Sequence, residues 1–227
     1  MTPPTLRLIS SMATRLLLSD LLASYADATV ALESVGGVDA AKRVAAGEAF
    51  DAVLLGSDAI DKLIAGGHVL AGSRVDVVRS GVAVAVRAGA ARPDIASEDG
   101  VKAAVLAART LGYSTGPSGV ALAHLFERWG IADAVNAKLV TPPPGTPVGA
   151  LVATGEVELG FQQLSELMHL PGIDVLGPLP DAIQITTIFS GGVAATSHQP
   201  DAVRALLVHL ASPGTAATKR AHGMDAA

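Results

Sequence analysis

Short runs of apolar and β-branched residues alternate with helical patterns along most of the chain. In the helical patterns, apolar residues recur at spacings of three, four and seven positions, as they do from Leu18 to Tyr25, from Leu122 to Trp129 and from Val203 to Leu210. Such positions share one face of a helix, which is then buried. Strands that alternate with helices are typical of parallel sheets connected by crossover helices. The pattern therefore predicts an α/β fold.

The expected strands are the short apolar runs between these helical patterns. They are Thr5–Ser10, Thr29–Val35, Ala52–Gly56, Thr110–Ser114, Ala137–Thr141, Val157–Gln162 and Ile173–Leu176. Glycines at 47, 66, 67 and 130 stand where helix ends need a left-handed residue, and Pro200 suits the first turn of the last helix.

Two longer extended stretches depart from this simple alternation. Arg74–Arg87 has two strand-like halves that meet at Ser80 and Gly81, and we interpret it as a crossover strand; Ile183–Thr196 is extended with no helix before Gln199. If each stretch crosses from one sheet to another, residues 1–80 and 190–227 form lobe 1 and residues 81–189 form lobe 2. The alternative is a single doubly wound sheet with two β-hairpins.

Composition narrows the class of partner. The net charge is −5, and the 16 Lys and Arg residues are scattered singly, so the chain has no basic stripe for nucleic acid. It has no cysteine, which excludes disulfides and cysteine-bound zinc. Aromatic residues make up only 3% of the chain, which favours a site of backbone and small polar groups over a stacking site.

The segment that opens the chain bears on its location. MTPPTLRLISSMATRLLLSD lacks a cationic start followed by an apolar core and a small-residue cleavage site. No apolar run reaches the length needed to span a membrane. We therefore expect no membrane insertion and a location that is cytoplasmic if Met1 is the native start and periplasmic if a leader was trimmed. We also expect a monomer.

Helix starts that follow strands are candidate anion sites, because their unpaired N–H groups carry partial positive charge. Ser10 and Ser11 follow the first strand, and one of them would otherwise serve only as a helix cap. In the second turn, Gly36 and Gly37 allow close approach of a ligand, whereas Asp39 would repel an anion and fits a capped turn without one. The third turn contains Ser57, which we interpret as a cap.

The expected second lobe contains the strongest candidate. Ser114–Gly119 is rich in glycine and hydroxyl groups and leads directly into an amphipathic helix, which is typical of an anion cradle. A second turn, Pro142–Val148, leads to another helix start, and Gln162 and Gln163 end a strand.

Motifs for other chemistry are absent from the sequence. The histidines show no H-x-x-x-H spacing, and neither G-x-S-x-G nor G-x-G-x-x-G after a strand occurs. The sequence therefore predicts no metal and no cofactor, and it identifies no catalytic residue.

Several segments in order resemble the molybdate-binding-like extracellular solute-binding proteins. They are TLRLISSMATRLLLSDLLASY, GEAFDAVLLGSDAIDKLIAGGHV, SGVAVAVRAGAARPDI, GPSGVALAHLFERWGI, GEVELGFQQLSEL and PDAVRALLVHLASPGTAATKRAHGM. The resemblance implies the type II periplasmic binding fold, with two lobes of mostly parallel sheet flanked by helices, joined by two crossover strands. It also implies that neutral donors hold an anion in the cleft between the lobes and that an ABC permease is the partner. The implied ligand positions are Ser10 or Ser11, Gly37, Val38, Ser118, Val148 and Gln163, to which we add Ser57 and Gly119 as candidates.

This sequence departs from that family at two positions. Gly36 and Gly37 stand where the molybdate binders usually carry serine, and Gln163 stands where they usually carry tyrosine. The ligand therefore stays open between an oxyanion and a di- or tricarboxylate.

An alternative is an enzyme similar to aconitate isomerase, a branch of the same superfamily that shifts a proton on a tricarboxylate. That reaction needs a general base and cations for the carboxylates. Arg15, Arg79 and Arg87 are available as cations, but no base stands out. A cytosolic ligand sensor is a third hypothesis without a motif of its own.

Overall fold

The computed structural model describes residues 4–143 and 145–227. Its strands are β1 (Thr5–Ser11), β2 (Thr29–Val35), β3 (Ala52–Gly56), β4 (Val75–Arg87), β5 (Leu111–Tyr113), β6 (Leu159–Gln163), β7 (Ile173–Pro178), β8 (Thr186–Val193) and β9 (Asp225–Ala226). Its α-helices are α1 (Arg15–Ala23), α2 (Gly37–Ala45), α3 (Ser57–Ala65), α4 (Glu98–Ala107), α5 (Pro117–Arg128), α6 (Ala132–Asn136), α7 (Val148–Thr154), α8 (Leu164–Leu167), α9 (Pro200–Ala211) and α10 (Ala216–Ala221). Short 3₁₀ turns lie at Met12–Thr14, Asp181–Ile183 and Pro213–Thr215.

The chain divides into two compact units. Unit 1 contains residues 4–80 and 187–227, and unit 2 contains residues 81–186. The chain passes from one unit to the other within β4, after Ser80, and within β8, after Thr186. Both passages therefore lie in extended strands.

The sheet of unit 1 is parallel at its centre. Strand β1 pairs in parallel with β2 on one side and β3 on the other, and β3 pairs antiparallel with β8. Alternate residues face opposite layers: Leu6, Leu8 and Leu54 pack with α1 and α9, whereas Ile9 and Val53 pack with α2 and α3. Helices thus cover both faces of this sheet.

Unit 2 repeats this arrangement on a smaller scale. Strand β6 pairs in parallel with β5 and antiparallel with the second half of β4, which also pairs antiparallel with β7. Residues such as Phe161 pack against α4, α5 and α6 on one face. Residues Ala83 and Ala85 face the α8 side, where α7 also packs.

Most predicted elements agree with the structure, and one does not. Strands β2 and β3 have the predicted bounds, and β4 runs through Ser80 and Gly81 as one strand. The strand predicted for Ala137–Thr141 is wrong, because α6 extends to Asn136 and this stretch forms only an isolated bridge between Leu139 and Leu111. The prolines that follow lack the N–H groups a longer ladder would need.

The helix-end glycines agree with the prediction except at one position. Gly47, Gly67 and Gly130 have φ of 78°, 76° and 70°, in the left-handed region that glycine enters without steric cost. Gly66 instead keeps a right-handed conformation at the end of α3. The turn after α3 therefore needs one left-handed residue rather than two.

Within residues 4–143 and 145–227, no helix is both long and apolar enough to cross a membrane.

Lys219 on α10 is wholly buried. Burial lowers the pKa of its ammonium group, because the group loses hydration.

Candidate functional site

The candidate residues of unit 1 lie at one edge of its sheet. Ser10 and Ser11 end β1, Gly37 begins α2 directly after β2, and Ser57 begins α3 directly after β3. Because these three strands are parallel, their carboxyl ends meet at the same edge. Three turns chosen separately from the sequence are thus neighbours.

The two serines of β1 have different surroundings. Ser10 is wholly buried; its Oγ lies 2.8 Å from Ser34 Oγ and donates to the carbonyl oxygen of Ser11 at 3.3 Å. The Oγ of Ser11 makes a longer contact, 3.5 Å, with Thr14 Oγ1. Ser10 is therefore held within the sheet, whereas Ser11 is held more loosely.

Ser11 is also adjacent to the start of α2. A methyl group added at Gly37 would lie 3.7 Å from Ser11 Cβ, which is van der Waals contact. Gly36 is the N-cap of this helix, no side chain caps it, and Val38 is half exposed. Asp39 lies in the first turn without forming a cap. The hydroxyl of Ser11 and the first N–H groups of α2 thus lie at one place.

The interpretation of Ser57 as a helix cap is wrong. Strand β3 continues to Gly56, which is itself the N-cap of α3, and no side chain caps this helix. Ser57 is the first helical residue and is partly buried. The strand passes into the helix without the extra residue that a serine cap requires.

In unit 2, the two ends of the glycine-rich turn Ser114–Gly119 are in close contact. Strand β5 ends at Tyr113, Gly116 is the N-cap of α5, and Pro117 is its first residue. Ser114 Oγ and Ser118 Oγ lie 3.1 Å apart. A methyl group at Gly119 would lie 1.6 Å from the carbonyl oxygen of Ser114. Only glycine fits at this position, because the backbone of α5 lies directly on the preceding turn.

The end of β6 brings two glutamines to the same edge. Strands β5 and β6 are parallel, with Tyr113 opposite Phe161, so Ser114 and Gln163 both follow carboxyl ends of strands. Both Gln162 and Gln163 are buried. Because side chains alternate along a strand, Gln163 lies on the face of Phe161 and α5, and Gln162 lies on the opposite face.

The Gln162 side chain connects the end of β6 to the start of α7. Its Oε1 accepts the N–H of Gly149 at 3.3 Å, and its Nε2 donates to Glu166 Oε2 at 2.7 Å. Val148 begins α7 after the N-cap Pro147. The turn predicted for Pro142–Val148 includes Pro144, which lies outside the described residues.

Glu166 is the residue that sequence reasoning missed. Loss of hydration raises the pKa of its carboxyl group to about 7, which the hydrogen bond from Gln162 only partly offsets. The spacing of four between Gln162 and Glu166 crosses from a strand into a short helix. No periodicity in the sequence marks such a contact.

The arginines considered for carboxylate binding are exposed. Arg79, in unit 1, forms a long ion pair of 4.0 Å with Asp225. Arg87 ends β4, which is antiparallel to β6, and its guanidinium lies near Gly155 at the far end of α7. Arg87 therefore lies at the opposite edge of its sheet from Gln163. Among residues 4–143 and 145–227, no cluster of His, Asp or Glu could hold a metal ion.

Comparison with known proteins identifies the family to which this chain is similar. Residues 6–225 match a family model described as bacterial extracellular solute-binding protein. An aconitate isomerase from Pseudomonas sp. is 46% identical over 175 residues, which is 77% of this chain. The match spans 66% of the length of that relative, just under two thirds.

Solved structures show the same fold at low identity. The Azotobacter vinelandii periplasmic molybdate-binding protein has a TM-score of 0.79 at 18% identity, over 96% of this chain and 98% of that one. The sulfate-binding protein from Mycobacterium tuberculosis has a TM-score of 0.77 at 15% identity, over 97% of this chain and 86% of that one. The predicted fold class, an α/β chain of the two-lobe type II periplasmic-binding-protein kind, is confirmed.

Proposed function

The chain belongs to the bacterial extracellular solute-binding proteins, as the order of its segments predicted, and from this premise we propose that it binds a small anion. The ligand would be an oxyanion or a di- or tricarboxylate. One observation carries the proposal: in each unit, neutral donors at helix starts lie at the carboxyl ends of parallel strands.

The donors suit an anion without a counter-charge. In unit 1 they are the hydroxyl of Ser11 and the N–H groups of Gly37 and Val38. In unit 2 the donor is the hydroxyl of Ser118, at the start of the 12-residue helix α5. The N–H of Gly119 donates to the carbonyl oxygen of Gly116 at 3.0 Å, so we do not retain it as a donor to the anion. Unpaired N–H groups and the helix dipole both favour negative charge at such positions.

The remaining proposed contacts are Ser57 in unit 1 and Val148 and Gln163 in unit 2. We do not retain Ser10, because its hydroxyl is engaged with Ser34 and the carbonyl of Ser11. The amide of Gln163 can donate to an anion through Nε2 and accept a protonated group through Oε1. That versatility suits a carboxylic acid as well as an oxyanion.

The family supports a proposal for where this protein acts and which partner it serves. Membership among extracellular solute-binding proteins supports a site of action outside the cytoplasm, in the periplasm. The proposed partner is an ABC permease, which would receive the anion. The fold neighbour from Azotobacter vinelandii, a periplasmic molybdate-binding protein, is consistent with this role.

A second function is favoured by one specific observation. The relative at 46% identity is an aconitate isomerase, so this chain is a candidate for a proton shift on an unsaturated tricarboxylate. A base would take a proton from a carbon beside a carboxylate, and the proton would return at the other end of the allylic system, with no net gain or loss. We do not propose Glu166 as the base, because its carboxyl group bonds to Gln162 on the sheet face opposite Gln163.

A ligand panel tests the proposed function. We expect at least one of molybdate, tungstate, sulfate, citrate and trans-aconitate to raise the melting temperature, because a ligand that binds only the native state stabilises it by mass action. Chloride at equal ionic strength is the control. No shift with any of the five anions would contradict anion binding.

The same samples separate the two functions. Incubation of the protein with trans-aconitate, followed by NMR, would show the cis isomer if the chain is an isomerase. Binding of trans-aconitate without turnover would leave only the receptor.

A further inference from the structure

Glu166 is an ionisable group of unit 2 to which the proposed function gives no role. Its Oε2 accepts a hydrogen bond from Gln162 Nε2 at 2.7 Å, and Gln162 Oε1 accepts the N–H of Gly149 at 3.3 Å. Gln162 directly precedes Gln163, and Gly149 directly follows Val148. Two hydrogen bonds thus connect the carboxyl group to residues adjacent to two proposed ligand contacts.

The surroundings of Glu166 contain few charges. Strand β6 and helix α7 have no ionisable residue, and Glu166 is the ionisable residue of α8. The charged groups of the other adjoining elements are Arg87 on the unit 2 half of β4 and Asp174 on β7, and the exposed His169 follows α8. The other charged residues of β4, Asp76 and Arg79, lie in unit 1. The pKa of Glu166, about 7, is set by lost hydration and by the hydrogen bond with Gln162. The carboxyl group can therefore change charge near neutral pH.

We propose that Glu166 is a positioning residue of the anion site, which acts through Gln162 and makes anion affinity fall as the pH rises. This inference rests on the proposed function. Glu166 fixes the amide of Gln162 so that its oxygen faces Gly149 and its nitrogen faces the carboxyl group. A neutral carboxyl group keeps this arrangement, because its carbonyl oxygen still accepts the hydrogen bond.

The direction of the effect follows from the charge. Above its pKa, Glu166 adds a negative charge on the carboxyl group that is hydrogen-bonded to Gln162, the neighbour of Gln163 in the chain, and this charge repels an anion held by Gln163. Below its pKa that charge is gone while the hydrogen bonds remain. Affinity is therefore expected to be higher at pH 6 than at pH 8.5, and binding near pH 7 should take up protons.

Calorimetric titration of the full chain with molybdate and with trans-aconitate at pH 6.0, 7.0, 8.0 and 8.5 tests this. For the wild type we expect a loss of affinity of about tenfold over this range beyond any change in the ligand itself, since a coupling of one pKa unit is a factor of ten. Glu166→Gln keeps an acceptor for Gln162 but cannot ionise. It should retain the affinity measured at pH 6 and lose the additional pH dependence.

Two further measurements separate positioning from a merely structural role. Titrations in buffers of different ionisation enthalpy should show proton uptake near pH 7 by the wild type and not by Glu166→Gln. Glu156→Gln, which removes an exposed carboxylate beyond the other end of α7, is the matched control and should behave as the wild type.

The outcomes distinguish the two proposals. If the wild type binds neither anion at any pH, the proposed function fails, and this inference fails with it. If the wild type binds and Glu166→Gln has the same pH dependence and proton uptake, only the role of Glu166 is overturned. Weaker binding by Glu166→Gln at pH 6 would also overturn it.

Discussion

Replacement of Gly119 by alanine is expected to destabilise unit 2 by about 3 to 5 kcal/mol, in the range of the most damaging single substitutions. The added methyl group would lie 1.6 Å from the carbonyl oxygen of Ser114 and 2.7 Å from its carbonyl carbon. Both atoms are backbone, so the start of α5 must move away from the turn. Ser118 moves with it, and we expect loss of anion binding as well. Urea unfolding and calorimetric titration measure the two effects.

Gly116→Ala is the matched control for this substitution. It adds the same methyl group three residues earlier in the turn, where the nearest atom, Ser114 Oγ, is 3.9 Å away. Gly116 also has a negative φ of −82°, which alanine adopts freely. We expect a cost below about 1 kcal/mol, the difference between glycine and alanine at an N-cap. Equal effects of the two substitutions would contradict the close contact at Gly119.

Ser11→Ala is expected to weaken anion binding by about tenfold to a hundredfold, because a hydrogen bond to a charged group contributes about 1.5–3 kcal/mol. The fold should be little affected, since the hydrogen-bond partner of Ser11 Oγ among the described residues is Thr14 Oγ1, at a distance of 3.5 Å. Ser10→Ala should do the reverse. It leaves Ser34 without its partner at 2.8 Å and costs about 1 kcal/mol of stability, while the affinity stays the same.

The pair is its own control, because the two serines are adjacent and the substitutions are identical. Affinity is read by calorimetry and stability by urea unfolding. A larger loss of affinity in Ser10→Ala than in Ser11→Ala would show that the wrong hydroxyl has been placed against the ligand.

Local patterns in the sequence were sufficient for much of the fold. The apolar run at Ala52–Gly56 corresponds to β3, because a strand that is buried on both faces must be apolar along its own length. The run at Thr29–Val35 corresponds to β2, an edge strand in which Val30 and Leu32 alternate with more exposed positions and pack on the core. The stretch at Ala137–Thr141 has a similar composition and is not a strand. Its backbone lies beside β5 only at Leu139, and pairing over a longer stretch depends on a partner distant in sequence.

In the candidate site, too, some residues are marked by the local sequence, and others only by contacts between segments that are distant in the chain. Turns with small and hydroxyl residues after strands marked Ser11, Gly37 and Ser118 correctly as residues at the carboxyl edges of sheets. The choice between Ser10 and Ser11 depends on Ser34, which only the register between β1 and β2 brings opposite Ser10.

Glu166 could not be found from the sequence for a related reason. Its partner Gln162 is held by the N–H of Gly149, and that contact exists only after α7 packs on the sheet. A carboxylate in an amphipathic segment is ordinarily a solvated surface group. Its raised pKa arises from packing between elements that are separate in the chain.

Calorimetric titration of Ser11→Ala and Ser118→Ala tests the central claim most directly. The wild type should bind the most stabilising anion of the panel, and each substitution should weaken that binding. Affinity equal to that of the wild type in both variants would contradict anion binding at these helix starts.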